Sequence, residues 1–117
     1  MTALVAIESM FRGFADRTRL RILHLLRRRG EMCVGDLVAT LRVPQPTASR
    51  HLAYLRRAGL VEVRQDGPWK HYSLSRPRTP AQQALVAGLD RLGGVPEMAA
   101  DAKRLRAIRA GGGCCPR

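Results

Sequence analysis

Cysteine is the residue type in this chain that is best suited to hold a soft metal or to sense an oxidant. One cysteine, Cys33, is internal, and the other two, Cys114 and Cys115, follow a run of three glycines. Three is an odd number, so the cysteines cannot form a complete disulfide framework, and the N-terminal segment lacks the features of a secretory signal. We therefore expect a cytoplasmic protein in which the cysteines are ligands, sensors or inert core residues.

A second group of residues, within 44–63, could recognise nucleic acid. Ala48, Leu52 and Leu55 recur at helical spacing, and Gly59 is placed to end that helix in a left-handed conformation. A helix that presents Ser, Thr and Arg from its N-terminal end suits the major groove of DNA, although an ordinary basic surface helix would look similar. The candidate DNA-binding residues of this helix are Gln45, Thr47, Ser49, Arg50, His51 and Tyr54.

The charge of the chain favours the nucleic-acid interpretation. The chain has 117 residues, enough for one domain, and a formal net charge of +12. We expect such a basic protein to bind a polyanionic partner. A membrane surface is the weaker alternative, because no single basic amphipathic helix carries the charge. No apolar run approaches the roughly 20 residues that span a bilayer.

Nothing in the sequence predicts an enzyme. No Ser/His/Asp or Cys/His set stands out, no carboxylate pair is placed for acid–base catalysis, and the glycines of 111–113 do not join a strand to a helix. No organic cofactor is therefore expected.

Other helical patterns flank the predicted helix within 44–63, which we call the candidate reading helix. Residues 3–14 form one amphipathic pattern, and a second helix is predicted between an N-cap at Asp16 and a terminator at Gly30. A short third helix over 34–41 and a turn at 42–44 then lead into the candidate reading helix. A short helix, a tight turn and a helix with polar groups at its front are typical of a helix-turn-helix unit.

A β-hairpin is predicted directly after that unit. Valines alternate with polar residues in 61–65, the Asp-Gly pair at 66–67 favours a tight turn, and residues 69–74 return as a second strand. A hairpin in this position is a wing, so we expect a mainly α fold with a small β-hairpin, that is, a winged helix-turn-helix. Three basic residues of the wing could contact sugar-phosphate: Arg64, Lys70 and His71.

The C-terminal third predicts a helix over 80–92 and a further short helix after Pro96. The helices near 3–14 and 80–92 have more apolar surface than a small core can cover, so we expect them to form a homodimer, although both could cap a monomer. A two-fold dimer would place its reading helices about 34–36 Å apart and would favour an inverted-repeat operator in double-stranded DNA. We expect a DNA-binding and dimerisation domain at 1–95, and a C-terminal helix with a cysteine-bearing tail at 96–117.

These segments resemble the ArsR/SmtB family of bacterial metal- and metalloid-sensing repressors. The similar segments are ADRTRLRILHLL, EMCVGDLVATL, QPTASRHLAYLRRAGLV and WKHYSLS. The resemblance implies a winged-helix homodimer that represses an operator and is released by an inducer. Arsenic-responsive members carry Cys-Val-Cys-Asp-Leu in the third helix, where this chain has Cys33, Val34, Gly35, Asp36 and Leu37.

With only one thiol of that motif present, we expect the tail to supply the others. Three thiolates suit a trivalent ion such as As(III) or Sb(III), and the resemblance implies a site made by Cys33, Cys114 and Cys115. Zinc is less favoured, because structural zinc takes four ligands and no His lies near the cysteines in sequence. The alternatives are a sensor of another thiophilic metal or of thiol redox state, a buried inert Cys33 with an inert tail, and a ligand-free basic module that binds DNA or RNA.

Overall fold

The computed structural model describes residues 2–113. Over this range the chain forms six α-helices and three β-strands, with a 3-10 turn at Leu89–Arg91. In chain order they are α1 (Ala3–Phe14), α2 (Arg17–Arg29), β1 (Glu31–Cys33), α3 (Val34–Leu41), α4 (Gln45–Arg57), β2 (Val61–Asp66), β3 (Trp69–Leu74), α5 (Pro80–Gly88) and α6 (Pro96–Ala110). The predicted winged helix-turn-helix is therefore confirmed.

Local signals in the sequence determine where the first helices begin and end. The Asp16 carboxylate accepts a hydrogen bond from the Arg19 backbone N–H at 3.0 Å, which caps the start of α2. Gly30, with φ of 96°, ends the same helix. Gly59 follows α4 with φ of 76°, a conformation that costs glycine little because it has no Cβ. The predicted caps at these three positions are confirmed.

The wing has one strand more than the sequence predicted. The sheet has the order β1-β3-β2, so the hairpin is extended by the short strand β1 and β3 is the central strand. His71 on β3 lies opposite Cys33 on β1 and Arg64 on β2. His71 is only 9% exposed, which disfavours its predicted contact with phosphate.

The core is aliphatic and centres on α2. Ile22, Leu23, Leu25 and Leu26 are at most 1% exposed, and they pack with buried residues of α3, α4 and the start of β2. Burial of several such side chains at roughly 1.5–3 kcal/mol each stabilises the arrangement of helices behind α4.

The C-terminal helices differ from their predicted lengths. The α-helix α5 ends at Gly88 and the chain continues as a 3-10 turn, so the predicted helix over 80–92 is too long. The helix α6 has 15 residues and is therefore not short. It packs against α2 and α3. The division of the chain at residue 95 stays a prediction.

The helix α1 leaves apolar side chains uncovered. Leu4, Val5 and Phe11 are 74%, 49% and 50% exposed. Among the described residues, no helix is both long and apolar enough to cross a bilayer.

Candidate DNA-reading surface and thiol site

One side of the helix α4 is buried against the core, and the opposite side is exposed. Ala48, Leu52 and Leu55 are completely buried, as their spacing predicted. The polar side chains Gln45, Ser49 and Arg50 are exposed on the other side of the helix, and Thr47 is half-buried. Four of the predicted reading residues therefore lie in the first two turns of α4, where an N-terminal helix end can meet the edges of bases.

The other two, His51 and Tyr54, face α2. The Arg19 guanidinium lies 4.1 Å from the centre of the Tyr54 ring, and its Nη1 lies 3.3 Å from His51 Nδ1. Arg19 also donates to the carbonyl oxygens of Gly13 at 3.0 Å and Arg12 at 2.8 Å. Arg19 thus joins the end of α1 to α4, and it is a positioning residue that the sequence patterns did not reveal.

Charges around His51 affect its protonation. Burial lowers the pKa of His51, the carboxylate of Asp16 opposes this effect, and the charges of Arg19 and Arg50 add to it. The Asp16 Oδ2 lies 3.8 Å from His51 Nδ1. His51 is therefore held mainly in its neutral form at pH 7, beside a cationic Arg19.

A groove of about 920 Å³ separates α4 from the wing. Its α4 wall includes Gln45, Ser49 and Arg57, and its wing wall includes Trp69 and Lys70. Basic and polar side chains along both walls suit the passage of a phosphate backbone. The predicted Lys70 is exposed here, and the groove also includes Trp69 and Arg57, which the sequence patterns did not indicate as contacts.

The predicted wing residue Arg64 is engaged in an ion pair within the chain. Its Nη2 and Nε donate to the Glu31 carboxylate at 2.8 and 3.2 Å. This hydrogen bonding lowers the pKa of Glu31 and raises the pKa of Arg64. A contact between Arg64 and phosphate would therefore have to replace an existing ion pair.

Cys33 lies where β1 ends and α3 begins. It is 4% exposed, and its Sγ accepts a hydrogen bond from the Asp36 backbone N–H at 3.4 Å, so the sulfur serves as the N-cap of α3. Cys33 is disulfide-bonded in this structure. It also lines the groove beside α4. The other two predicted ligands, Cys114 and Cys115, lie outside the described residues.

The residue before those two cysteines, Gly113, lies beside the first turn of α3. A Cβ added at Gly113 would lie 3.2 Å from Oδ2 and 3.3 Å from Oδ1 of Asp36, in the first turn of α3. The Arg109 Nη1 lies 3.8 Å from Asp36 Oδ2. Between residues 2 and 113 no three His, Cys, Asp or Glu residues are grouped as metal ligands.

Comparison with known sequences identifies the class of the fold unit. Residues 16–63 match the family described as "Bacterial regulatory protein, arsR family". The chain is 48% identical over 86 residues to the arsenical resistance operon repressor of Escherichia coli K12, covering 74% of this chain and 72% of that protein. It is 45% identical over 80 residues to the arsenic resistance transcriptional regulator ArsR1 of Pseudomonas putida, covering 68% and 62%.

Solved structures of bacterial regulators have a fold similar to that of this chain. HlyU from Vibrio cholerae superposes with a TM-score of 0.66 at 34% identity, covering 79% of this chain and 97% of that one. The cadmium metal-sensor CMTR from Mycobacterium tuberculosis superposes with a TM-score of 0.57 at 31% identity, covering 76% and 85%.

Proposed function

The chain belongs to the ArsR family of bacterial regulatory proteins, and we propose that it is a cytoplasmic repressor that As(III) or Sb(III) releases from DNA. In this proposal a homodimer binds an inverted-repeat operator. Three thiolates, from Cys33, Cys114 and Cys115, then bind the metalloid, and the operator is released. No organic cofactor takes part.

The arrangement of α4 and the wing supports operator binding. The exposed front of α4 carries donors and acceptors for base edges, and the groove beside it carries arginine and lysine side chains. The net charge of +12 favours association with the DNA backbone. The exposed apolar residues of α1 support a dimer, because a second copy of the same surface would remove them from water.

The proximity of Gly113 to Asp36 is the observation that carries the metalloid proposal. It brings the residue before Cys114 to the first turn of the helix that Cys33 caps, although these positions are distant in sequence. Arsenite condenses with three thiols and releases one water molecule for each As–S bond. The positive end of the α3 dipole favours the Cys33 thiolate that this reaction uses. A two-electron reductant, such as the phosphine used in the test below, must first cleave the disulfide at Cys33 to thiols.

The similar proteins support the inducer class. Two of the relatives described above are named for arsenic resistance, and a structural relative is named as a cadmium sensor. A soft ion that prefers sulfur ligands is common to these names. We assign As(III) or Sb(III), rather than cadmium, because three thiolates complete a trivalent site without a fourth ligand.

The test is release of a fluorescent operator by metalloid, measured for the wild type and for Cys33→Ser, Cys114→Ser and Cys115→Ser. A phosphine reductant keeps the thiols reduced, whereas a dithiol would compete for As(III). We expect each variant to bind operator like the wild type and to stay bound when As(III) is added. Normal release by Cys33→Ser would contradict the proposed site. Zn(II) and Cd(II), added to the wild type in parallel, test the choice of inducer.

Thiol oxidation is the second candidate signal, and the disulfide at Cys33 favours it. In this case the oxidised protein and the reduced protein would differ in operator affinity without any metalloid. Operator binding by the wild type, measured before and after hydrogen peroxide treatment, separates the two functions. Release by peroxide together with no response to As(III) would assign the chain to redox sensing.

A further inference from the structure

The helix α6 contacts both ends of α3. Near the start of α3, Arg109 and Gly113 lie beside Asp36. Near its end, Arg104 of α6 donates to the carbonyl oxygen of Thr40. Asp36 and Thr40 are four residues apart on α3, so these two contact points are separated by about 6 Å at 1.5 Å per residue. One helix therefore connects the thiol site to the end of α3 that precedes α4.

A buried carboxylate holds this second contact together. Asp101 of α6 is 1% exposed and accepts hydrogen bonds from Nε and Nη2 of Arg21, both at 2.8 Å. It also accepts from Nη1 of Arg104 at 3.3 Å. A two-point contact between guanidinium and carboxylate fixes orientation as well as distance. We call Asp101, Arg21 and Arg104 the α6 clamp.

The clamp also binds the last carbonyl groups of α3. Arg21 Nη2 donates to the carbonyl oxygen of Leu41 at 2.9 Å, in addition to the bond from Arg104 to Thr40. These carbonyls would otherwise lack partners at a helix end. The next residue, Arg42, has φ of 55° and begins the turn into α4. The position of Asp101 therefore affects the residues that set the direction of the reading helix.

We propose that Asp101 is a positioning residue that couples the thiol site to the reading helix α4. The inference rests on the proposed metalloid function. When As–S bonds replace the disulfide at Cys33, the end of α6 and the start of α3 shift relative to each other. The clamp transmits this displacement to the end of α3 and to the turn at Arg42. Asp101 touches neither the metalloid nor the DNA, and it acts through Arg21 and Arg104.

Asp101→Asn tests this role, because it keeps the shape of the side chain and removes its charge. The wild type should lose operator affinity by about 5–150-fold on binding As(III). We expect Asp101→Asn to bind As(III) with unchanged stoichiometry and to reduce that release factor by about 2–30-fold. Asp101→Glu, which restores a carboxylate, should recover part of the release.

Two further variants separate coupling from stability. Arg104→Gln removes the bond to Thr40 and leaves the pair between Arg21 and Asp101, so it should also weaken release without unfolding the chain. Asp90→Asn makes the same chemical change at an exposed ion pair, where Asp90 accepts from Arg27 at 2.9 and 3.1 Å, and it should release normally. Thermal melting of every variant reports loss of structure.

The outcomes distinguish the two proposals. If the wild type releases operator and both Asp101→Asn and Arg104→Gln release it by the same factor, the coupling role is wrong and the metalloid function stands. If the wild type does not respond to As(III), the metalloid function fails and the coupling role fails with it. Reduced release at full As(III) stoichiometry in the two clamp variants, with normal release in Asp90→Asn, supports the coupling role.

Discussion

Among single residues, His24 is a buried titratable group that neither the DNA surface nor the thiol site uses. It is 2% exposed, and its Nδ1 has no hydrogen-bond partner among the residues that the structure describes. Burial lowers the pKa of His24 below its ordinary 6.5, and the charge of Arg28 adds to this, whereas Asp101 and Asp90 oppose it. The folded chain therefore takes up a proton at His24 less readily than the unfolded chain does.

This difference predicts a loss of stability in mild acid. The contribution of His24 to the free energy of unfolding is complete above pH 6.5, the unfolded value, and decreases as the pH falls towards the folded pKa. The slope is at most about 1.4 kcal/mol per pH unit for one group. We expect His24→Leu to be less sensitive to acid, as measured by denaturant unfolding at pH 5.5 and 7.5. His51→Gln controls for the other histidine whose pKa is lowered. An unchanged pH dependence in His24→Leu would refute the assignment.

Among the elements, the first four helices were predictable from helical spacing and, for α2 and the end of α4, from boundary signals. Asp16, Gly30 and Gly59 lie where a cap or a left-handed residue is needed, and the buried leucines recur at helical spacing. The exposed side of α4 was predictable from the same pattern, because it lies opposite the buried apolar residues of that helix.

The elements that were missed depend on distant partners. The strand β1 has three residues, too few to show an alternating pattern, and it exists because β3 pairs with it. The length of α6 was hidden because its buried side includes small and charged residues, such as Ala102 and Asp101. The partners of Asp101 and of Gly113 lie on α2 and α3, and local sequence patterns do not report such contacts.

The strand β1 also leads to a prediction about the wing. Glu31→Gln removes the carboxylate that pairs with Arg64 and leaves that guanidinium able to reach phosphate. We expect tighter operator binding, and a plot of log affinity against log salt that is steeper by about two units, one for each protomer of the proposed dimer. Operator titrations between 50 and 200 mM salt measure this slope.

Glu62→Gln is the matched control, because it makes the same charge change on the exposed side of β2. A similar gain in both variants would mean that overall charge, and not release of Arg64, strengthens binding. No gain in Glu31→Gln would remove Arg64 from the predicted phosphate contacts.

At the scale of the whole molecule, the exposed side of α1 determines the expected assembly. Phe11→Asp places a charge in the apolar surface formed with Leu4 and Val5. If this surface pairs two protomers, the variant should sediment as a monomer and lose its preference for an inverted repeat over a single half-site. Val95→Asp alters another exposed apolar residue, outside α1 and α5, and should remain dimeric. Dimeric Phe11→Asp would place the interface elsewhere.

Trp69 is the single tryptophan of the chain, and it forms part of the wing wall of the groove. Its side chain is 38% exposed, so its emission depends on whether water or another molecule lies beside the indole. The unlabelled protein thus contains its own optical probe at the place where the operator is expected to pass. Stopped-flow fluorescence at this one ring can time the arrival and departure of DNA without attaching a dye to either molecule.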